Sequence, residues 1–186
     1  FAAMISRDVG AKFPRITPDT TIQLRRRFIF GLAEQDRVAA TIEFLAQGDM
    51  PTVFELVRLS HAGDYDEEVE DAELLQIAAA ARRADPRGRL AFVPGGYGRM
   101  TPDYDRFVGK LNDFLRSYGD DAGGIQRLGA GWGGNVGGLI SRRFLEGDQR
   151  LALERLLRDD LNVTVDLDSC VATPGHGAGL LPSPLA

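Results

Sequence analysis

Residues 119–138 read GDDAGGIQRLGAGWGGNVGG, and glycine dominates this stretch. Glycine loses more conformational freedom than any other residue in a helix, whereas it suits tight turns and close backbone approaches. Only short apolar pieces interrupt the glycines or follow them directly, such as Val136, Leu139 and Ile140. The stretch therefore predicts strands and tight loops, in contrast to the helical patterns on either side of it.

Apolar residues at helical spacing predict helices around this stretch. The clearest case runs from Tyr104 to Leu115, where apolar residues recur at i, i+3, i+4 and i+7. A long helix is predicted from about Ile22 to Gly48, either continuous or broken near Gly31. The combination predicts an α+β fold and a single domain over residues 1–186. The other predicted elements are helices over 53–60 (with Asp49 as the cap), 74–81 and 148–161, and strands over 90–93 and 163–167.

The composition restricts the class of protein. The chain has 186 residues and a formal net charge of −5 at pH 7, from 22 basic and 27 acidic residues. Proteins that mainly grip nucleic-acid phosphates usually carry an excess of basic residues, so no nucleic-acid partner is expected. No apolar run in the sequence approaches the roughly 18 residues of a membrane-spanning helix, so no membrane partner is expected either. Cys170 is the single cysteine, which favours a reducing compartment and a cytoplasmic location.

The most informative segment for function is 129–134, GAGWGG. Closely spaced glycines let backbone N–H groups converge and let a ligand approach without a Cβ clash, which suits a phosphate. A dinucleotide fingerprint also needs a helix directly afterwards, and the residues that follow make a poor helix. A Walker A loop needs lysine and then serine or threonine where Asn135 and Val136 stand, so this mechanism is excluded. The alternative is a tight turn between strands with Trp132 packed over it.

The GAGWGG segment resembles the third conserved motif of the galactokinase branch of the GHMP small-molecule kinases, Thr-Gly-Ala-Gly-(Phe or Trp)-Gly-Gly-Cys. Further matches occur in the order that the family shows, and together they cover most of residues 28–181. Glu34, Arg37 and Val38 resemble its Glu-x-x-Arg-Val segment, Gly48 and Asp49 its Gly-Asp pair, Ser60, His61 and Tyr65 its Ser-His…Tyr segment, and Gly175 to Ala178 its closing Gly-x-Gly-Ala turn.

The sequence also departs from the family pattern. Residues 126–128 are Gln-Arg-Leu where the family has Arg-Met-Thr, and Asn135 replaces the cysteine after the glycine loop. Residues 85–121 resemble an insertion, which carries the helix predicted from Tyr104. These departures leave the branch of the family and the identity of the sugar open.

The resemblance implies that the chain is the C-terminal half of a two-domain sugar kinase, with helices packed on a mostly antiparallel, ferredoxin-like plait. Such a kinase transfers a phosphoryl group from ATP to a hexose, and its N-terminal half, the partner domain of this chain, binds most of the ATP and Mg²⁺. The sequence holds neither a Gly-Leu-Ser-Ser phosphate loop nor a Gly-Glu-His sugar motif, so we expect the isolated chain to be inactive and Phe1 to mark the cut edge of a larger enzyme. The alternative is a stand-alone, non-catalytic ligand-binding or regulatory module with the same fold.

The resemblance also implies two sets of binding residues, with no catalytic group and no metal ligand in this chain. The glycine loop would shape the wall around the nucleotide phosphates. Ser60 and His61 would line the sugar side of the cleft, although the helix dipole alone also favours a histidine in the last turn of a helix. The nucleotide-side set is Gly129, Ala130, Gly131, Gly133 and Gly134.

Three further residues have plainer interpretations. Trp132 is predicted to be a core or domain-contact aromatic rather than a platform for base stacking. His176 lies among glycines and is predicted to be an exposed loop residue. Cys170 is predicted to be an inert, buried thiol at the end of a strand.

Overall fold

The computed structural model describes residues 24–64, 70, 72–73, 75–76, 79, 93, 95, 102–128 and 135–172. About 70% of these residues are helical, and the described strands form one small antiparallel sheet. The prediction of an α+β fold is confirmed at this level. In chain order the elements are helices α1 (Leu24–Gln47), α2 (Met50–Gly63) and α3 (Pro102–Arg116), strands β1 (Gly123–Leu128) and β2 (Asn135–Ile140), a 3-10 helical turn (Arg142–Leu145), helix α4 (Gly147–Arg155), a π-helical turn (Leu156–Asp160) and helix α5 (Leu167–Cys170).

Contacts within the chain divide it into two compact units, Phe1–Gly138 and Leu139–Ala186. The first unit contains α1, α2, α3 and β1, and the second contains α4 and α5. The single domain over 1–186 and the insertion over 85–121 stay predictions. The helix α3, which lies inside that segment, nevertheless belongs to the core of the first unit.

Helix α1 is unbroken, so Gly31 lies within it and does not interrupt it. The helix ends next to Gly48, as the sequence predicts. The φ of Gly48 is +73°, a left-handed conformation that favours glycine. The N–H of Gly48 donates to the carbonyl of Leu45 at 3.1 Å, and the N–H of Asp49 donates to the carbonyl of Phe44 at 3.0 Å. The two bonds form a Schellman motif, which satisfies carbonyls that a helix end leaves without intrahelical partners.

Asp49 also begins helix α2, as the sequence predicts. Its carboxylate accepts hydrogen bonds from the N–H of Thr52 at 3.2 Å and from the hydroxyl of Thr52 at 2.7 Å. Pro51 lies in the first turn, where its missing N–H costs no hydrogen bond. The two helices therefore follow each other almost without a linker and pack through a buried apolar cluster. The cluster consists of Ala40, Phe44, Val53 and Leu56, with Met50 packed against it.

Helix α3 packs its apolar face against β1 and confirms the clearest helix prediction. Val108, Leu111 and Leu115 are buried on this face. Asn112 lies among them, and its side-chain amide donates to the carbonyl of Ile125 at 2.9 Å and accepts from the N–H of Ile125 at 2.9 Å. These two hydrogen bonds to the backbone of Ile125 fix the position of β1 along α3.

Two glycines allow the close packing around β1. A Cβ at Gly124 would lie 2.5 Å from the carbonyl oxygen of Phe54 in α2, so a larger residue would push the helix and the strand apart. A Cβ at Gly138 in β2 would collide with the carbonyl oxygen of Gly124. The described residues within 119–138 thus form two closely packed strands and the turn that leads into β1. The prediction of strands and tight loops is confirmed for these residues.

The second unit contains the predicted helix over 148–161. Helix α4 and the π-helical turn that follows it account for nearly all of that range. Leu153 and Leu157 are buried on one face, and Phe144 from the preceding 3-10 turn is fully buried. The helical prediction is confirmed, with a widened last turn that the apolar spacing does not reveal.

The second unit departs from the prediction at residues 163–167. Alternating apolar and polar residues predict a half-buried strand, but the backbone before Leu167 has no regular structure and α5 begins there. The carboxylate of Asp166 accepts from the N–H of Asp168 at 3.1 Å and caps α5, a local alternative to strand pairing that short polar side chains offer. Cys170 lies in α5 and is exposed, so the prediction of a buried thiol at a strand end is wrong.

Two predicted elements lie largely outside the described residues. Of the predicted helix over 74–81, only residues 75–76 and 79 are described, and they are helical. Of the predicted strand over 90–93, only Val93 is described, and its side chain is fully buried. The apolar face of that helix and the pairing of that strand stay predictions.

Candidate functional site

An open cleft of about 150 Å³ lies in the first unit, where α1, the end of α2 and β1 meet. On the helical side, the lining residues of each segment are adjacent in sequence or one turn apart, and residues four apart share a helix face. On β1 the two lining residues are adjacent. The last turn of α2 supplies the largest share. The lining residues are Phe30, Glu34, Ser60, His61, Asp64, Gln126 and Arg127.

The cleft joins three segments that the sequence analysis distinguishes separately. Glu34 begins the Glu-x-x-Arg-Val match, Ser60 and His61 form the Ser-His match, and Gln126 and Arg127 belong to the segment before the glycine loop. Glu34 and Ser60 are 26 residues apart along the chain, and Asp64 and Arg127 are 63 residues apart. The predicted pair Ser60 and His61 thus lines a cleft, whereas its place on the sugar side stays a prediction.

The carboxylate of Glu34 connects α1 to α2. The hydroxyl of Ser60 donates a hydrogen bond to Oε2 of Glu34 at 2.5 Å. Arg37, one turn further along α1, is buried and forms an ion pair with the other carboxylate oxygen of Glu34. The charge of Glu34 is therefore balanced within α1. The Ser60 hydroxyl donates its hydrogen to Glu34, so toward the cleft its oxygen acts as a hydrogen-bond acceptor.

Arg127 is the buried cation of the cleft, with a side chain that is 3% exposed. Its guanidinium forms ion pairs with Asp64, the C-cap of α2, and with Asp105 of α3 at 3.4 Å. A buried charge is tolerated only when it is paired, because removal from water costs several kcal/mol per ion. The ion pairs of Arg127 therefore hold α2, α3 and β1 together behind the cleft.

His61 is buried in the last turn of α2. The pKa of its imidazole is lowered to about 4: burial is the largest cause, the nearby charge of Arg127 also lowers it, and the charge of Asp64 opposes both effects. The imidazole is therefore neutral at pH 7, and the helix dipole does not explain its position through a stabilised cation. A neutral imidazole offers one donor and one acceptor, which matches the two hydrogen-bonding functions of a hydroxyl group.

Asp105 and Arg127 are site residues that the sequence analysis missed. A signal for Asp105 is present, since it lies three residues before Val108 and seven before Asn112 and thus on the buried face of α3. A charged residue on an apolar face indicates a buried polar contact. Arg127 has no comparable signal, because its inward direction depends on the register of β1 within a glycine-rich stretch.

The glycine loop connects two strands that pair with each other. Strand β1 ends at Leu128 and β2 begins at Asn135, so a strand and not a helix follows the loop. This order confirms the argument against a dinucleotide fingerprint. All the predicted nucleotide-side residues lie outside the described residues, and their role stays a prediction. The residues concerned are Gly129, Ala130, Gly131, Gly133 and Gly134, and Trp132 and His176 lie outside as well.

The described ranges contain neither a cluster of metal-binding side chains nor a helix that could span a membrane. Within them, no group of three or more histidine, cysteine, aspartate or glutamate side chains is arranged to hold a metal ion. No helix in the described ranges combines the length and the apolar character that crossing a membrane requires.

The first unit is thus an α+β arrangement with a polar, charge-paired cleft. Comparisons of the chain with protein-family models, with curated proteins and with solved structures find no match. The support for a galactokinase-type interpretation therefore comes from the sequence motifs, two of which line the same cleft.

Proposed function

We propose that this chain is part of an ATP-dependent sugar kinase of galactokinase type, which transfers a phosphoryl group from ATP to a hexose. The observation that carries the proposal is that two resembling segments, the one with Glu34 and the one with Ser60 and His61, line one cleft together with the strand that leads into the glycine loop. The proposal implies a ferredoxin-like plait as the complete fold. It also implies a cytoplasmic enzyme whose N-terminal half binds most of the ATP and Mg²⁺.

The charges around the cleft favour a neutral ligand. Arg127 is engaged by Asp64 and Asp105, and Arg37 is engaged by Glu34. Each guanidinium thus already faces a carboxylate, and a phosphate would bring a further negative charge next to these carboxylates. A ligand that carries hydroxyl groups and no charge avoids this repulsion, so the cleft fits the sugar better than the nucleotide.

The hydrogen-bonding groups and the apolar wall of the cleft also suit a sugar. The oxygen of Ser60 accepts a hydrogen bond from a ligand hydroxyl, and the imidazole of His61 lines the cleft beside it. Phe30 supplies an aromatic surface against which the C–H face of a sugar ring packs. The cleft therefore offers both the polar and the apolar contacts that a monosaccharide needs.

Catalysis needs more than this chain offers. Phosphoryl transfer depends on groups that position the reactants and neutralise the developing charge, with Mg²⁺ supplying much of that neutralisation. The sequence holds neither the phosphate loop nor the sugar motif of such kinases. We therefore expect the 186-residue chain to be inactive alone and to contribute walls of the site in the complete enzyme.

The deciding experiment is a screen of the full-length gene product for ATP-dependent phosphorylation of galactose and related hexoses. We expect turnover with at least one hexose, and we expect Ser60→Ala to raise KM for the sugar about tenfold, the effect of about 1.4 kcal/mol from one lost hydrogen bond. Ser117→Ala is the matched control, because Ser117 is exposed and donates only to the carbonyl of Phe114 at 2.7 Å. A full-length protein that phosphorylates no hexose contradicts the proposal.

A non-catalytic ligand-binding module is the second candidate. The observation that favours it is that the cleft is formed entirely by residues of the first unit. A module of this kind binds its ligand without any further domain. Titration of the 186-residue chain with galactose, observed by NMR, distinguishes the candidates when it is read beside the kinase screen. Binding without phosphorylation by the full-length product supports the module.

A further inference from the structure

Most of the polar groups that line the cleft are committed to bonds within the protein. The carboxylate of Glu34 accepts a hydrogen bond from Ser60 and pairs with Arg37. Asp64 and Arg127 form an ion pair with each other. These groups hold the walls of the cleft together, so a ligand competes with existing bonds for most of them.

Gln126 on β1 is a lining residue of a different kind. It is half-buried, and among the residues that the structure describes its side-chain amide has no hydrogen-bond partner. A primary amide carries two N–H donors and an oxygen acceptor. Water meets such groups in an open cleft, and a ligand that displaces this water keeps the hydrogen bonds only if its own polar groups replace them. Gln126 therefore offers a ligand two donors and an acceptor that the described side chains leave unoccupied.

The position of Gln126 is fixed before a ligand binds, because both of its neighbours in sequence are anchored. Asn112 of α3 bonds to the N–H and to the carbonyl of Ile125, each at 2.9 Å. The guanidinium of Arg127 is held by its two ion pairs. A binding group on a backbone that is already held loses less conformational freedom when the ligand arrives, which favours affinity and specificity.

We propose that Gln126 is the specificity-determining residue of the cleft and that its amide hydrogen-bonds two adjacent hydroxyl groups of a hexose. The inference rests on the assignment of a sugar to this cleft in the proposed function. The amide presents its oxygen and its N–H groups side by side, and two neighbouring hydroxyls supply a donor to the one and an acceptor to the other. A site that hydrogen-bonds a hydroxyl group discriminates against an analogue that lacks it.

The placement of Gln126 also narrows the class of ligand. Gln126 lies on β1, whereas the acceptor oxygen of Ser60 lies on α2. A ligand that bonds to both walls needs hydroxyl groups on more than one of its edges. A sugar ring has them, whereas ethylene glycol has a single pair of adjacent hydroxyls. The amide carries no charge, which agrees with the neutral ligand that the paired charges of the cleft favour.

Calorimetric titration of the full-length gene product tests the role of Gln126. The probes are galactose, glucose and mannose, each with and without a non-hydrolysable ATP analogue. We expect Gln126→Met to raise the dissociation constant of the hexose that binds best about tenfold, the effect of one net hydrogen bond. Gln47→Met is the matched control, because Gln47 is exposed at the end of α1 and should leave the dissociation constant unchanged. Gln126→Val, which suits a strand, repeats the comparison with a second variant.

Monodeoxy analogues of that hexose separate a direct contact from a structural role. In the wild type, removal of the hydroxyl that Gln126 binds should weaken binding about tenfold, and in Gln126→Met the same removal should cause no further loss. A variant that weakens the binding of every analogue by the same factor indicates a structural role of Gln126 and overturns the inference.

Binding and turnover together distinguish this inference from the proposed function. Binding that depends on Gln126, without phosphorylation, supports the inference and contradicts the kinase. Phosphorylation with equal affinities of the wild type and Gln126→Met overturns the inference and leaves the kinase standing. Failure of all three hexoses to bind also overturns the inference.

Discussion

In each of the two units an arginine bridges two carboxylates, and the two clusters differ in their contact with water. Arg127 in the first unit pairs with Asp64 and Asp105, and its side chain is 3% exposed. Arg150 in the second unit donates to both oxygens of Asp168, at 2.7 and 3.1 Å, and to Glu154 at 2.9 Å. Asp168 is 75% exposed.

The comparison shows that burial and not geometry decides what an ion pair does. Arg150 holds Asp168 through two hydrogen bonds, and they lower the pKa of Asp168. Water and salt nevertheless screen these exposed charges, so the pair contributes little to stability. The buried cluster has no such screening, and removal of one member leaves charges that water cannot solvate.

Arg127→Met should produce the largest effect. The substitution leaves Asp64 and Asp105 without the guanidinium between them, and the expected loss is about 3–5 kcal/mol in the free energy of unfolding. Urea denaturation followed by circular dichroism measures it. Adding Asp105→Asn should restore part of the stability, because it removes a buried negative charge. A loss no greater than that of Arg150→Met contradicts the comparison.

His61→Gln should reduce the sensitivity of the fold to acid. Burial holds the pKa of His61 at about 4 in the folded chain, against 6.5 when it is not perturbed. Between these pH values the unfolded state binds more protons, so lowering the pH favours unfolding. The variant should therefore lose on the order of 2–3 kcal/mol less than the wild type between pH 7 and about 4.5. Unfolding free energies at the two pH values measure the effect.

The control for this experiment is the other histidine of the chain. His176→Gln, measured in the same way, separates the share of the acid sensitivity that belongs to His61 from any share of His176. An acid loss in His61→Gln equal to that of the wild type would show that the buried imidazole does not govern the pH dependence.

Asp49→Ala and Asp166→Ala compare helix caps in the two units. Asp49 caps the 14-residue helix α2 through two bonds to Thr52, and its loss should cost about 1 kcal/mol. Asp166 caps the four-residue helix α5, in which only Leu167 is buried, so its loss should not shift the urea midpoint measurably. Equal shifts in the urea midpoint for the two variants would contradict the expected difference between the two caps.

Arg150→Met should have the smallest effect. The charges that it separates are exposed, and we expect no measurable shift in the midpoint of urea denaturation at physiological salt. Repeating the measurement at low salt is the informative control, because weaker screening should expose any stabilising contribution. A clear loss at high salt would indicate that Arg150 contributes through packing of its aliphatic part.

The ends of the first two helices were predictable because their signals are local. Gly48 adopts the left-handed conformation for which glycine is suited, and Asp49 bonds to a residue three positions away. The prediction of a strand over 163–167 was wrong, because a strand needs a neighbouring strand to pair with and the local sequence pattern does not supply one. At that point Asp166 offers a bond within its own segment, and the local bond prevails.

The cleft was only partly predictable. Ser60 and His61 were found through resemblance, and the structure places both in the lining. Arg127 and Asp105 were not found, because their ion pair depends on how α3 and β1 align across 22 residues of sequence. The nucleotide-side glycines stay a prediction. Site residues were thus predictable where a short motif identified them. They were not predictable where their position depends on the register between two elements.

The joint at Gly48 and Asp49 makes α1 and α2 a helical hairpin, and this determines the order of folding. Contacts that are local in sequence close short loops and form fast. The bond between Ser60 and Glu34 spans 26 residues, whereas the ion pair between Asp64 and Arg127 must close 63. We therefore expect the two helical walls of the cleft to form early and the strand wall to arrive last. A ligand that needs all three walls would then bind only the finished unit and would slow its unfolding.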